Sequence, residues 1–544
     1  MSRRLLHLTG FVLVATAALA CGTSSPPSST GGAAPTSEQP RSGGTLKVLQ
    51  KEDPPDLSIY EQSTFATSFP MMPAYSNLVL FDPGVAPESL QSIRPELADK
   101  WETSADGKKI TFQLKKGLKW HDGTAFTAKD VKYTFDTLKT GTDAVRPDVK
   151  MRANPRGVWF DNVESVTTPD DYTAVFTLKR AQPALMGMFA SGYSPIYPSH
   201  VPVADLRAKP AGTGPFKFQE WRKGELVSFT KNSDYFVQGR PYLDGLQYIV
   251  ITERGTQIGA MRTKQILLSF PNEFTKLNAE ELKKAVPEIV IEEQVSTVND
   301  NVIMNTKKEP WSNQKVRTAV AESIDLAGYV SARSGGAAVG TNVTPTGPWA
   351  LPKDEMAKLP GYGPNIEQRR TRAKQLLTEA GYASGFTTEL VTRDVKTYTD
   401  LAVFVIDQLD KIGIKATLKP IQTGVWHAQM SQGNFDIGLN LTGLGVDDPD
   451  VMFYENLRCG QARNYSQWCD QEVDKLTDEQ SATLELAKRK QLIQQLDRLV
   501  IERSSRPVMG WSIRYEAWWP EVRGYKALAS PYNAGRMENV WLAR

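Results

Sequence analysis

Histidine and cysteine are scarce in this chain, four and three among 544 residues. So few imidazoles argue against a His-rich metal site. Charge of one sign is not in excess either: 64 Lys and Arg face 61 Asp and Glu, a formal net charge of +3. A chain so balanced carries no electrostatic footprint for DNA or RNA. Local chemistry motifs are missing too: there is no G-x-S-x-G elbow, Walker loop, G-x-G-x-x-G, H-E-x-x-H or C-x-x-C. No run is apolar enough to span a bilayer. What is present is ordinary: 40% hydrophobic and 23% charged residues, typical of soluble globular proteins. At roughly 150 residues per domain the length allows about three to four domains.

The N-terminus reads as a secretion signal, residues 1–20. Arg3 and Arg4 form a basic n-region, and Leu8 to Ala20 is uncharged and mostly apolar. That run is shorter than the ~20 residues a spanning helix needs. It ends Ala18-Leu19-Ala20-Cys21, small residues before a cysteine, which resembles a bacterial lipobox with Ala18 in place of its usual Leu. Cys21 is the expected lipidation site; ordinary cleavage after Ala20 is the alternative. Residues 22–44 are dense in Ser, Thr, Gly, Pro and Ala. Such a segment cannot bury enough surface to fold, so residues 21–43 read as a linker between anchor and body.

Setting Cys21 aside leaves Cys459 and Cys469, in a stretch rich in Asn, Gln and Arg. Outside the cytoplasm an isolated pair reads as a disulfide. A zinc site is the rival, with no His or further Cys nearby to complete it.

Periodicity gives a mixed α/β pattern. Strands are expected at Thr45–Leu49, Ile110–Leu114, Tyr172–Leu178 and Phe435–Leu441. Thr127 to Asp130 starts a helix with a capping box. One amphipathic helix is expected from Asn313 to about Ala332 and another from Arg369 to Ala380. Thr388–Thr392, a helix over 399–412 stopped by Gly413, and Ile414–Lys419 form a β-α-β unit. His121, His200 and His427 lie far apart in sequence and read as structural or surface residues.

Ordered blocks carry a family likeness. PELADKW (95–101), SADG (104–107), TFQL (111–114), GLKWHDG (117–123) and FTAKDV (126–131) follow one another. GTGPF (212–216), KVRTA (315–319), GNFD (433–436), DPD (448–450) and EVDKL (472–476) come later. Together they resemble the peptide/nickel/opine class of ABC-importer solute-binding proteins, family 5, over residues 43–544. The resemblance implies an α/β, two-lobed periplasmic-binding-protein-like fold (class II, cluster C) with an extra domain inserted in the first lobe. Lobe I would comprise 44–78, 203–296 and 508–544, the inserted domain 79–202, and lobe II 297–507. It implies an extracytoplasmic, lipid-anchored monomer with no cofactor and no metal, which catches a small solute or peptide between hinged lobes and hands it to membrane permease subunits. No catalytic residue is then expected.

Peptide-binding members of the class carry an Asp three positions before the Asp-Pro-Asp element, facing the peptide ammonium. Here that position is Gly445, with Asp447 and Asp448 close by. The positions for arginines that meet the peptide carboxylate count to Met430 and Leu439. Both peptide-end partners thus look absent, which favours a neutral, aromatic or glycosidic ligand over an ordinary peptide. The ligand-binding candidates are Trp426, Trp511, Asp447, Tyr75, Asn77 and Gly445. With 12 Trp in the chain, core packing is the bland alternative for the tryptophans. A secreted lipoprotein hydrolase and a chaperone-like lipoprotein are the rival functions, and no local motif supports the hydrolase.

The anchor is directly testable. Cys21→Ser should release the protein from membranes without unfolding it. Retention of that variant after high-salt washing would count against lipidation.

Overall fold

The computed structural model describes residues 39–543 except 87, 272, 334–335, 504–505 and 534. The signal segment and Cys21 lie outside the described residues.

Three sheets organise the chain. The first pairs Thr45–Gln50 in parallel with Gly245–Val250, then continues antiparallel through Leu226–Lys231 to Phe216–Arg222. Alternation in TLKVLQ turns Leu46 and Val48 into the core.

The second is an antiparallel sheet of Ala98–Thr103, Lys109–Leu114, Thr173–Leu178 and Val163–Asp170. The helix Ala128–Thr140 contributes Phe135 to a cluster of edge-to-face rings with Phe176 and Phe189, centroids 4.9 and 5.4 Å apart. Much of the family-like block lies here and serves the fold. Asp130 closes the capping box on Thr127, accepts from the Trp120 indole N–H at 3.3 Å and from Ser199 Oγ at 2.7 Å. Gly117 and Gly123 take φ of +75° and +92°, a region that favours glycine.

The third sheet runs Ala337–Ala338, Val508–Trp518, Val290–Met304, Ile437–Gly443, Phe386–Arg393, Ile414–Ile421. Phe386–Arg393, the helix Lys396–Asp410 and Ile414–Ile421 make the expected β-α-β unit, its strands parallel. Leu390, Leu401, Val405, Leu409, Ile437 and Leu439 pack into its core. The single helix expected over 313–332 is two, Gln314–Ser323 and Leu326–Ala332. Ile324 and Asp325 leave helical geometry, and Asp325 caps the second helix by accepting from the Ala327 N–H at 3.1 Å. A polar capping residue inside an apolar period restarts a helix rather than continuing it.

Val290–Met304 and Val508–Trp518 are the two longest strands of the sheet and pair antiparallel. One end of the pair reaches the first sheet, because Leu268 bridges both Val48 and Trp518. The other end joins Ile437–Gly443, through Val298–Met304. Pairing is interrupted between Val295 and Asn299. The fold is thus two-lobed α/β, with this strand pair running between the lobes and an irregularity midway along it.

The lobes meet through polar contacts, two of them fully buried. The Trp159 indole donates to Glu455 Oε2 at 2.6 Å, Gln182 Nε2 to Asp450 Oδ2 at 3.3 Å, and Thr423 Oγ1 to Glu52 Oε2 at 2.6 Å. The Asp-Pro-Asp element holds this side together. Asp448 caps the helix Pro449–Asn456, accepting from the Asp450 N–H at 2.9 Å, and takes Arg489 in two hydrogen bonds of 2.9 and 2.6 Å. Cys459 and Cys469 have Cα atoms 4.6 Å apart and sulfurs at bonding distance.

Two expectations follow. Arg489→Ala leaves Asp448 and Asp450 as buried, unneutralised carboxylates and should cost about 3–5 kcal/mol, measured by urea denaturation; a loss below about 1 kcal/mol would contradict the role assigned to the pair. Intact mass should rise on reduction by one hydrogen at each of Cys459 and Cys469, and an unchanged mass would rule out the bond.

Candidate ligand-binding site

The parallel strands Phe386–Arg393 and Ile414–Ile421 direct their carboxyl ends at the junction of the lobes, where open α/β sheets place ligands. A cavity of about 40 Å³ lies there, with Lys51, Phe65 and Phe270 on one side, Arg393, His427 and Arg463 on the other. That volume holds a few waters. The lobes are closed on it: a Cβ at Gly443 would come 1.6 Å from the Tyr532 hydroxyl, so only glycine admits that approach.

The cavity is cationic. Arg393 ends its strand, is 6% exposed, and has no partner for its Nε. Its guanidinium lies 3.9 Å from the Tyr398 ring centroid and 5.9 Å from that of Trp426. No ion pair joins it to a carboxylate among the described residues. Burial pulls its pKa below the ordinary guanidinium value; Glu52 opposes that shift and Arg463 adds to it. Lys51 is likewise lowered by burial, with Glu273 4.0 Å away and Phe270 under its ammonium at 5.3 Å. Arg463 differs: its Nη1 stands 2.5 Å from Glu455 Oε1, and that carboxylate holds its pKa above the usual value despite burial. His427 is kept neutral by burial and by Arg393 and Arg463, its pKa well below the ordinary value. Its Nδ1 meets the Tyr465 hydroxyl at 2.9 Å, while Nε2 and the nearby Asn440 Oδ1 have no partner.

A buried guanidinium without a carboxylate is costly unless something anionic joins it. The site can therefore pair a carboxylate or another oxyanion with Arg393, offer Asn440 Oδ1 to a donor, and cover apolar parts with Phe65, Phe270 and Tyr532. Among the described residues no group of His, Cys, Asp and Glu is arranged to hold a metal.

The candidates named from sequence are scattered. Trp426 is fully buried behind the cavity, against Tyr465 and His427 at 5.4 and 5.0 Å. Trp511 is elsewhere: its indole donates to the Thr341 carbonyl at 3.0 Å and closes on Gly340. Tyr75 packs on Tyr197 at 5.3 Å. Asn77 donates to the Phe189 and Ser191 carbonyls at 2.9 and 2.6 Å. None of these three lines the cavity. At Gly445 a Cβ would meet Trp159 at 2.6 Å, so the ring fills the space a side chain would need. Asp447 lines a different pocket, with Thr344 Oγ1 donating to it at 2.9 Å. Met430 and Leu439 are buried in cores.

Positions 430 and 439 are apolar, as counted from the sequence, yet the candidate cavity is lined by cations from elsewhere in the chain. These cations are Arg393, Arg463 and Lys51. Arg393 had a signal: it directly follows a predicted strand and precedes a predicted helix of the β-α-β unit. Lys51 and Arg463 had none, because only the closed fold brings them there.

Known proteins agree with this architecture. The model of the bacterial extracellular solute-binding proteins, family 5, matches residues 92–464. The oligopeptide-binding protein AppA of Bacillus subtilis is 28% identical over the whole of both chains. The dipeptide-binding protein of Escherichia coli is 26% identical, over 86% of this chain and 89% of its own. Among solved structures, B. subtilis AppA in complex with a nonapeptide superposes with a TM-score of 0.79 at 25% identity, over 93% of this chain and 100% of that one. AgaA of A. tumefaciens R10 in complex with agropinic acid gives 0.81 at 24%, over 92% and 99%, a likeness of fold. These relatives are named for binding, which favours a solute receptor over a hydrolase. A lobe-spanning strand pair, a closed cleft and a family match over most of the length together show that the chain belongs to the family 5 extracellular solute-binding proteins of ABC importers.

Proposed function

We propose that this receptor captures a small solute bearing a free carboxylate, and that Arg393 is the partner of that carboxylate. The observation that carries the reading is the buried, unpaired Arg393 guanidinium at the closed junction of the lobes. Arg463 is already matched by Glu455, so Arg393 is the cation with charge to spare. The cavity as closed is smaller than a peptide, so entry requires the lobes to part about the irregularity between Val295 and Asn299. Closure is favoured by a solute only through contacts it makes better in the closed form, and pairing a buried guanidinium is such a contact. The names of the relatives favour peptides as the solute class. Gly445, covered by Trp159, offers no acid to a peptide ammonium, so the amino end should matter little.

The division into lobe I (44–78, 203–296, 508–544), inserted domain (79–202) and lobe II (297–507) belongs to this reading, as do the lipid anchor at Cys21, delivery to a permease and a monomeric receptor. Among the described residues no helix is long and apolar enough to cross a membrane, and a lipid at Cys21 would supply the attachment.

Calorimetry against short peptides tests the assignment. Amidating the C-terminus, or replacing Arg393 by Ala, should each weaken binding about ten- to a hundredfold, the worth of a hydrogen bond to a charged group. Acetylating the N-terminus should change affinity less than about threefold. Equal binding of free and amidated peptides would sink the reading.

A further inference from the structure

A second pocket, of about 290 Å³, opens beside the first along the same junction. Its walls come from both sides: Phe81, Glu88 and Leu90 from the N-terminal part, Trp349, Asp447 and Leu486 from the lobe that carries Arg393. A third, narrow gap shares one wall residue with each. Tyr532 borders both the Arg393 cavity and the gap, and Phe81 borders both the gap and the second pocket.

The second pocket has the opposite charge. Asp448 is neutralised by Arg489 at 2.6 Å. Glu88 is occupied with the backbone N–H groups of Ala529 and Ser530 at 2.8 and 2.6 Å. Asp447 accepts only the Thr344 hydroxyl, through Oδ1, and no cation pairs with it among the described residues. Apart from Ser89 and Gln91 the rest of the lining is apolar, and two of its leucines stand out in water: Leu486 is 66% exposed and Leu90 is 42% exposed. Exposed Leu side chains round an acidic pocket are a cost unless something apolar covers them. Asp447 itself reaches water through the mouth. Yet partial desolvation, with the fields of Asp448 and Glu88, raises its carboxyl to about 6. A nearby positive charge would relieve that strain on the anion.

We propose that this pocket is a second binding site, which takes the ammonium group of an amine with an apolar body, Asp447 supplying the counter-charge and Phe81, Trp349, Leu90 and Leu486 the cover. An ammonium fits on charge, and an aromatic or alkyl body fits the walls. Because both lobes build the pocket, an occupant binds the closed form and favours closure. The proposal does not depend on the role given to Arg393.

Calorimetry with 2-phenylethylamine, and with 2-phenylethanol as its uncharged counterpart, decides it. The amine should bind the wild-type protein, and binding should weaken about tenfold or more in Asp447→Asn and for the alcohol. Leu486→Ser, at an exposed position that leaves the fold untouched, should weaken both probes. Arg393→Ala should leave the amine's affinity within about twofold while weakening carboxylate solutes, which separates failure of this site from failure of the first. Absence of amine binding to the wild-type protein, or equal affinity in Asp447→Asn with an unchanged melting temperature, would overturn the proposal.

Discussion

The antiparallel pairing of Val290–Met304 with Val508–Trp518 is the constraint on which the cleft depends. Two strands running between lobes allow rotation but little sliding, since a register slip would turn every inward side chain outward. The interruption between Val295 and Asn299 releases a few ladder hydrogen bonds at the middle of this link, where bending costs least. Everything opposed across the junction keeps its partner because that register is kept: Trp159 with Glu455, Thr423 with Glu52, Gly443 with Tyr532.

Charge is buried in pairs near the junction. Glu455 answers Arg463, and Asp448 answers Arg489. Buried pairs of this kind add little net stability but fix geometry, since breaking one leaves an exposed need in a dry place. Arg393 is the departure from the pattern, a guanidinium packed on Tyr398 with aromatic and cationic neighbours. Glu52 offsets its charge only in part, through space and without an ion pair. Asp447 is the reverse case at the wet end of the same junction: an anion among apolar walls.

The sequence determined the parts whose physics is local. Alternation placed strands at Thr45–Leu49 and Ile110–Leu114, each within one residue of the observed bounds, the Thr127–Asp130 capping box placed a helix, and Gly413 ended the helix of the β-α-β unit. The ordered blocks were enough for the family and hence for two lobes, because Asp130 and the glycines beside it serve the fold at short range. The break at Ile324–Asp325 was hidden, since an apolar period runs through it and only the cap shows the restart. The residues lining the candidate cavity were hidden more deeply. Arg393 and Arg463 are 70 residues apart and Lys51 is more than 300 residues from either, and only the tertiary fold brings the three to one cavity. Whether a tryptophan lines a cleft or a core is likewise set by that meeting: Trp426 backs the cavity and Trp511 faces Thr341. Secondary structure follows from neighbours along the chain, so it can be read there. Burial of a charge follows from neighbours in space, and only the tertiary structure decided which charges line the junction and which are paired elsewhere.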